Sequence, residues 1–235
     1  MQRDKLVVAG CSFSDFTKID HPYGQMLSEK LSRDYIHEGA GCSSNYRIWR
    51  RLTSMILDGT ITDKDLIVIQ YTEKTRQEFY TSYPQDLAYK GLNCKEAIRV
   101  VDDYIDGHII RFKVGADVWQ NNEEEKELFR MYEDGFLSLD FAKENFRTNN
   151  HNFQCMLARH NIKCIFIKTW RYPYNLDIEI LPEFEPYVFY DFDINREHNL
   201  FPDDAGHMSQ EGHTVFSEKL YAHIKTLGLS YDTLS

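Results

Sequence analysis

Lys5-Leu6-Val7-Val8-Ala9-Gly10-Cys11-Ser12-Phe13-Ser14 is the stretch on which the reading of the fold turns. Its first six residues form a short apolar run closed by glycine. That is the pattern of a strand buried on both faces of a parallel sheet. The residues after it are small or hydroxyl-bearing, so a serine is delivered at the strand's C-terminal end, where a turn leads toward the next helix. Amides at a helix start favour developing negative charge. Taken alone, a serine here is as well explained as a turn or N-cap residue.

Outward from this strand, similar runs recur at residues 65–71 (DLIVIQY) and 163–169 (KCIFIKT), with a weaker one at 35–37. Helical patterns alternate with them. Tyr23, Met26, Leu27 and Leu31 share one face, and so do Ile48, Leu52, Met55 and Ile56 over residues 46–57. Residues 123–160 read as mostly helical, with the acidic run Glu123-Glu124-Glu125 as a solvated start. Residues 209–227 make a closing helix with the stripe Val215, Phe216, Leu220 and Ile224, Ser209 as its cap and Gly228 as its stop. Strand–helix alternation of this kind predicts an α/β domain with a mostly parallel sheet between two helical layers. The alternation lapses over 75–119, where 108–114 (HIIRFKV) reads as an extra strand or hairpin arm. This segment is expected to be an insertion over the sheet's C-terminal edge, where ligand sites of such folds lie. Residues 177–199 read as a second irregular, lid-like segment near the same edge.

Composition narrows the function classes. The chain has 235 residues, enough for one large domain, and 42% hydrophobic content with 15 Tyr and 15 Phe allows a substantial core rich in rings. A formal charge of −10 argues against non-specific binding to nucleic acid or an anionic membrane. The cysteines Cys11, Cys42, Cys94, Cys155 and Cys164 are odd in number and lack a C-x-x-C spacing, so neither a disulfide framework nor a zinc site is expected. They read as reduced, mostly buried thiols. Cys11 and Cys42 beside the motif residues read as packers, not nucleophiles. His21, His37, His151, His160 and His198 show no metal-type spacing, and no phosphate loop or dinucleotide fingerprint is present. No metal or cofactor is expected. His213 and His223 read as surface or core-edge residues. The start of the chain has too short an apolar part for a signal peptide, and no run approaches a membrane span, so a cytoplasmic protein is expected.

Near the other end lies Asp203-Asp204-Ala205-Gly206-His207-Met208-Ser209-Gln210-Glu211-Gly212-His213. Asp204 and His207, three apart before the closing helix, suit one loop from which imidazole accepts a proton and carboxylate orients it. A capped acidic loop explains the same residues, and the two readings are compatible.

Gly-x-Ser-x-Ser after the first strand and Asp-x-x-His-x-x-x-x-Gly-His before the last helix resemble the first and last signature blocks of the SGNH (GDSL-like) hydrolases. Order and position agree, one block at each end of the chain. The resemblance implies a three-layer α/β/α sandwich with a flavodoxin-like five-stranded sheet. It also implies Ser12 as nucleophile, His207 as base and Asp204 as its orienter, with Asp203 the fallback. The family's second block is a glycine whose N–H helps bind an oxyanion. Glu38-Gly39-Ala40-Gly41-Cys42-Ser43-Ser44-Asn45 occupies that place, with Gly41 the first choice and Gly39 the second, although a turn needing positive φ explains a glycine there equally. The third block is usually Gly-x-Asn-Asp, and here it is Gln70-Tyr71-Thr72-Glu73. Thr72 stands where the Asn is absent and offers a hydroxyl of shorter reach, with Asn45 as a substitute in space. Losing one oxyanion donor costs ~10²–10³ in rate, so this departure bears directly on activity.

Gly-Cys-Ser-Phe-Ser, Gly-Cys-Ser-Ser-Asn-Tyr-Arg-Ile and Gln-Tyr-Thr-x-x-x-Arg together resemble a divergent branch found among phage and bacterial surface-polysaccharide genes. Arg76, in the last of these, is read either as a bidentate partner of a substrate carboxylate or phosphate or as an ion-pair partner of Glu73. The implied function is a serine esterase that removes O-acyl, in particular O-acetyl, groups from a carbohydrate or similar small ester. The alternatives are an acyltransferase to a glycan and a catalytically weak or inactive binding protein on the same fold.

Overall fold

The computed structural model describes residues 3–11, 19–39, 43–72, 76–81, 108–113, 139–168, 178–189 and 208–230. In chain order the elements are β1 (Lys5–Gly10), α1 (Tyr23–Leu31), β2 (Asp34–Gly39), α2 (Asn45–Leu57), β3 (Leu66–Gln70), β4 (Arg76–Thr81), β5 (His108–Lys113), α3 (Leu139–Arg159), β6 (Lys163–Ile167), a 3-10 helix (Pro182–Tyr187), β7 (Val188–Phe189) and α4 (Gln210–Thr226). Five strands form one sheet in the order β2-β1-β3-β6-β7, and every pairing in it is parallel. The parallel α/β sandwich expected from the alternation is therefore what forms.

The apolar runs are continuous because both faces of the sheet are covered. Val7, Ala9, Ile67, Ile69, Cys164 and Phe166 face one core with Ile48, Leu52 and Met55 of α2 and Phe146, Phe153 and Leu157 of α3. The alternate residues Leu6, Val8, Leu66, Val68, Ile165 and Ile167 face a second core. There they meet Tyr23, Leu27 and Leu31 of α1 and Phe216, Leu220 and Ile224 of α4. A period of two along each strand thus assigns its side chains to one helical layer or the other. Gly24 lets α1 seat closely. A Cβ there would lie 2.7 Å from Tyr35 Oη and 3.0 Å from Val8 Cγ2.

Polar side chains stitch the N-terminal edge. Asp65, buried, accepts from the Lys5 and Thr62 amides at 2.6 and 2.7 Å, while Arg33 donates to the Lys5 and Lys64 carbonyls at 3.2 and 2.9 Å.

Helix boundaries follow local chemistry. Ser44 caps α2 by accepting from the Arg47 amide, and Ser209 caps α4 by accepting from the Gly212 amide. Gly228, at φ +67°, ends α4 in the left-handed region that glycine tolerates. β2 is longer than residues 35–37 because backbone pairing with β1 extends it from Asp34↔Lys5 to Gly39↔Gly10. It is an edge strand whose partly exposed face carries polar residues, which hides it from an apolar-run reading.

The stretch 177–199 is not irregular throughout. Residues 182–187 form the 3-10 helix, and Val188–Phe189 is the fifth strand, paired with Phe166 and Ile167. Two residues carry no period, so only pairing with β6 defines this strand. Residues 108–113 do form a hairpin arm, antiparallel to β4 and separate from the main sheet. The acidic start of the 123–160 helix lies outside the described residues. Among the described residues no helix is long and apolar enough to cross a membrane.

Candidate active site

Because all five strands run the same way, the C-terminal ends of β1, β2 and β3 lie at one edge of the sheet. Cys11, fully buried, follows β1, Gly39 ends β2 in register with Gly10, and Tyr71-Thr72 follow β3. Ser12, Gly41, Asp203, Asp204 and His207 lie outside the described residues. Arg76 opens β4 and Asn45 opens α2.

The structure brings Asn45 and Thr72 together. The Asn45 Nδ2 donates to the Thr72 carbonyl at 2.9 Å, and the Thr72 amide donates to Asn45 Oδ1 at 2.9 Å. Both residues are buried. This reciprocal pair imitates one rung of a sheet ladder and fixes the backbone just past β3. Asn45 thus spends its carbonyl and one N–H on the Thr72 backbone. The Thr72 hydroxyl is different: Oγ1 is fully buried and has no hydrogen-bond partner among the described residues. A buried hydroxyl without a partner is uncommon and calls for an explanation.

Two supports for this edge gave no motif in the sequence. The first holds the end of β2. Arg51 clasps Glu38 bidentately, with Nε 3.0 Å from Oε2 and NH2 2.8 Å from Oε1. Arg47, buried on α2, donates to the Glu38 carbonyl at 3.0 Å. Two guanidinium groups against one carboxylate fasten the end of β2 next to Gly39. Removing one partner of a buried pair leaves an uncompensated charge, at a cost of about 3–5 kcal/mol.

The second support runs behind Tyr71. Its hydroxyl donates to Asn150 Oδ1 at 2.5 Å, and its ring stacks on Phe166 at 5.8 Å. Asn150 and Gln154 both donate to the Glu179 carbonyl, at 2.6 and 3.0 Å, and the Leu181 amide donates to Gln154 Oε1 at 2.7 Å. Burial, with the Cys164 thiol nearby, pushes the Tyr71 hydroxyl well above its ordinary range, so it stays a neutral donor. Two amides four apart in the apolar stripe of Phe146, Phe153 and Leu157 were the available signal: buried amides need partners.

His213 departs from the surface or core-edge expectation. It is buried, its Nδ1 accepts from the Tyr23 amide at 3.1 Å, and its ring stacks on Tyr23 at 5.7 Å. The backbone donor satisfies the imidazole and makes burial acceptable. Cys11 and Cys164 are buried as expected, whereas Cys155 is exposed on α3. Burial pushes the Cys164 thiol well up, away from thiolate chemistry. Lys168, following β6, is lowered by partial burial, with Glu185 opposing the shift. Among the described residues no group of three or more His, Cys, Asp or Glu side chains is arranged to hold a metal ion.

No family model matches the sequence. No curated protein matches it either. Solved structures do. The psychrotrophic esterase EstA from a Pseudoalteromonas species superposes with a TM-score of 0.55 at 11% identity, covering 95% of this chain and 98% of that one. An acetyl xylan esterase gives 0.47 at 12% identity over 94% and 99% of the two chains. A GDSL-like lipase from Bacteroides thetaiotaomicron gives 0.41 at 11% over 95% and 89%. At these identities the likeness speaks for architecture, and the EstA superposition extends over nearly the whole of both chains. With its parallel β2-β1-β3-β6-β7 sheet between two helical layers, the chain shares the fold of the esterase EstA, an α/β sandwich of the kind that the sequence blocks imply.

Proposed function

We propose that the protein is a serine ester hydrolase that acts through Ser12, His207 and Asp204. The observation that carries the reading is the Thr72 hydroxyl, fully buried and without a hydrogen-bond partner among the described residues. It sits past the end of β3 on a backbone that Asn45 holds rigid. A donor held in this way suits a partner that forms only in the reaction. An oxyanion at this edge fits that requirement, and the stabilisation comes without reorganisation.

In this mechanism the Ser12 Oγ attacks the ester carbonyl carbon while His207 accepts its proton. Asp204 orients the imidazole and balances its positive charge. The carbonyl oxygen becomes an oxyanion and accepts from the Ser12 and Gly41 amides and from Thr72. Collapse expels the alcohol, which takes the proton from His207 and leaves an acyl-Ser12. Water, deprotonated by His207, attacks that ester in turn; collapse releases the carboxylic acid, and His207 returns the proton to the departing Ser12 Oγ. The Glu38–Arg47–Arg51 cluster supports this scheme by fastening the strand that leads to Gly41.

The substrate class is an O-acylated, in particular O-acetylated, carbohydrate or a similarly small ester. The resemblance of the sequence blocks to the polysaccharide-associated branch supports it. Arg76, at the start of β4, is assigned to a substrate carboxylate or phosphate.

EstA is inhibited by monoethylphosphonate. A fluorophosphonate probe is therefore the first test, run on the wild type, Ser12→Ala and His207→Ala. Labelling and 4-nitrophenyl acetate hydrolysis are expected in the wild type and should be lost in Ser12→Ala. Equal labelling and equal hydrolysis in all three proteins would overturn the serine mechanism.

A further inference from the structure

We infer that Gln210 and His213, on the first turns of α4, are positioning residues for the reaction of Ser12 and His207, acting by fixing the start of α1 against the start of α4. The inference rests on the serine-hydrolase reading. The two reacting groups come from opposite ends of the chain: Ser12 follows Cys11, and His207 precedes Met208. Among the described elements, α1 is the next one after Ser12 and α4 the next one after His207.

Two side chains of α4 hold the backbone at the start of α1 across about 190 positions. Gln210 grips the backbone of His21 from both sides. Its Nε2 donates to the His21 carbonyl at 2.8 Å, and its Oε1 accepts from the His21 amide at 3.2 Å. His213 holds the next residue but one, accepting from the Tyr23 amide at 3.1 Å. That amide is one of the four that a helix start leaves unpaired, and the N-cap Pro22 supplies no side-chain acceptor. The cap of α1 is thus provided by another helix. Met208, immediately after His207, is buried in the same core as Leu6 and Val8 of β1 and Tyr23 of α1. The clamps grip the chain just beyond the Ser12 segment and begin three residues after His207. A misplacement of 1 Å between reacting groups is enough to cost ~10²-fold in rate.

The polarity of the His213 contact sets a precise test. Nδ1 is an acceptor here, so the imidazole carries its proton on Nε2. Asparagine offers an amide oxygen near the Nδ1 position, whereas leucine offers none. The experiment measures kcat and KM on 4-nitrophenyl acetate and the rate of Ser12 labelling by a fluorophosphonate. The proteins are wild type, His213→Leu, His213→Asn, Gln210→Ala and Glu218→Ala, each checked for folding by circular dichroism. Glu218 is the control. It pairs with Lys30 at 2.6 Å across the same two helices but at the surface, and its removal should leave kcat within about twofold.

His213→Leu is expected to lower kcat and the labelling rate on the order of 10²-fold with little change in KM. His213→Asn is expected to recover most of that loss, and Gln210→Ala to show a smaller loss of the same kind. Folded Leu and Ala variants with wild-type kcat would overturn the inference, and so would losses that appear in KM alone. If His213→Leu does not fold, the exposed Gln210 decides the matter by the same criterion. Failure of the wild type to label at Ser12 is a separate outcome: it overturns the serine-hydrolase reading, and the positioning role falls with it.

Discussion

Thr72→Val should move stability and activity in opposite directions. Valine matches threonine in shape and replaces only the hydroxyl by a methyl group. The Thr72 Oγ1 is fully buried with no partner among the described residues, so none of them compensates its desolvation. Burying such a group costs about 1–3 kcal/mol, and replacing it by an apolar group of the same shape returns part of that. A gain of about 1 kcal/mol is expected, which for a domain of this size raises Tm by about 2–4 °C. The backbone of Thr72 stays bonded to Asn45, so the local geometry is retained. Activity should fall because an oxyanion donor is gone, by ~10²–10³ in kcat. Thr72→Ser, which keeps the hydroxyl, should retain most of the rate. Thermal unfolding and ester hydrolysis on the same preparations read both quantities. A Val variant that is less stable than the wild type and equally active would refute the argument on both counts. It would show that the hydroxyl has a structural partner and no part in the reaction.

Asn45→Ala removes both bonds to Thr72 and leaves a buried amide and carbonyl unpaired. Destabilisation of about 2–4 kcal/mol is expected in urea unfolding, and a loss below 0.5 kcal/mol would contradict the pairing. Gly24→Ala forces a Cβ to within 2.7 Å of Tyr35 Oη and 3.0 Å of Val8 Cγ2, so it should destabilise by about 1–3 kcal/mol although alanine is the better helix former. Partial burial lowers the His223 pKa from 6.5. The unfolded chain therefore binds the proton at a higher pH than the folded one, and stability falls as pH drops below about 6.5 through the depressed value. His223→Phe should flatten that part of the stability–pH curve, and an unchanged slope would show that His223 is not the group responsible.

What the residues alone decided is the layered plan. The runs around Leu6–Ala9, Leu66–Ile69 and Cys164–Ile167 read as strands because burial on both faces leaves no polar alternation to confuse them. The helices facing them carry stripes of period 3.6, and Ser209 and Gly228 mark the ends of the last one by backbone chemistry that acts within a few residues. Ser12, Asp204 and His207 were legible as residue types in a spacing, and their pairing remains a proposal that labelling will decide. Tertiary structure alone decided the rest, because each remaining feature joins residues distant in sequence. Val188–Phe189 is a strand only because β6 pairs with it. Asn45 is a backbone clamp only because α2 begins beside the end of β3, 27 residues later in the chain. Burial of His213 is not legible in the sequence because nothing near it announces the Tyr23 amide, 190 residues away. Periodicity reports which face of an element is covered, and it carries no information about which atom on another element completes a buried polar group. That choice is made by packing, and at this sheet edge packing left the Thr72 hydroxyl buried without a partner among the described residues.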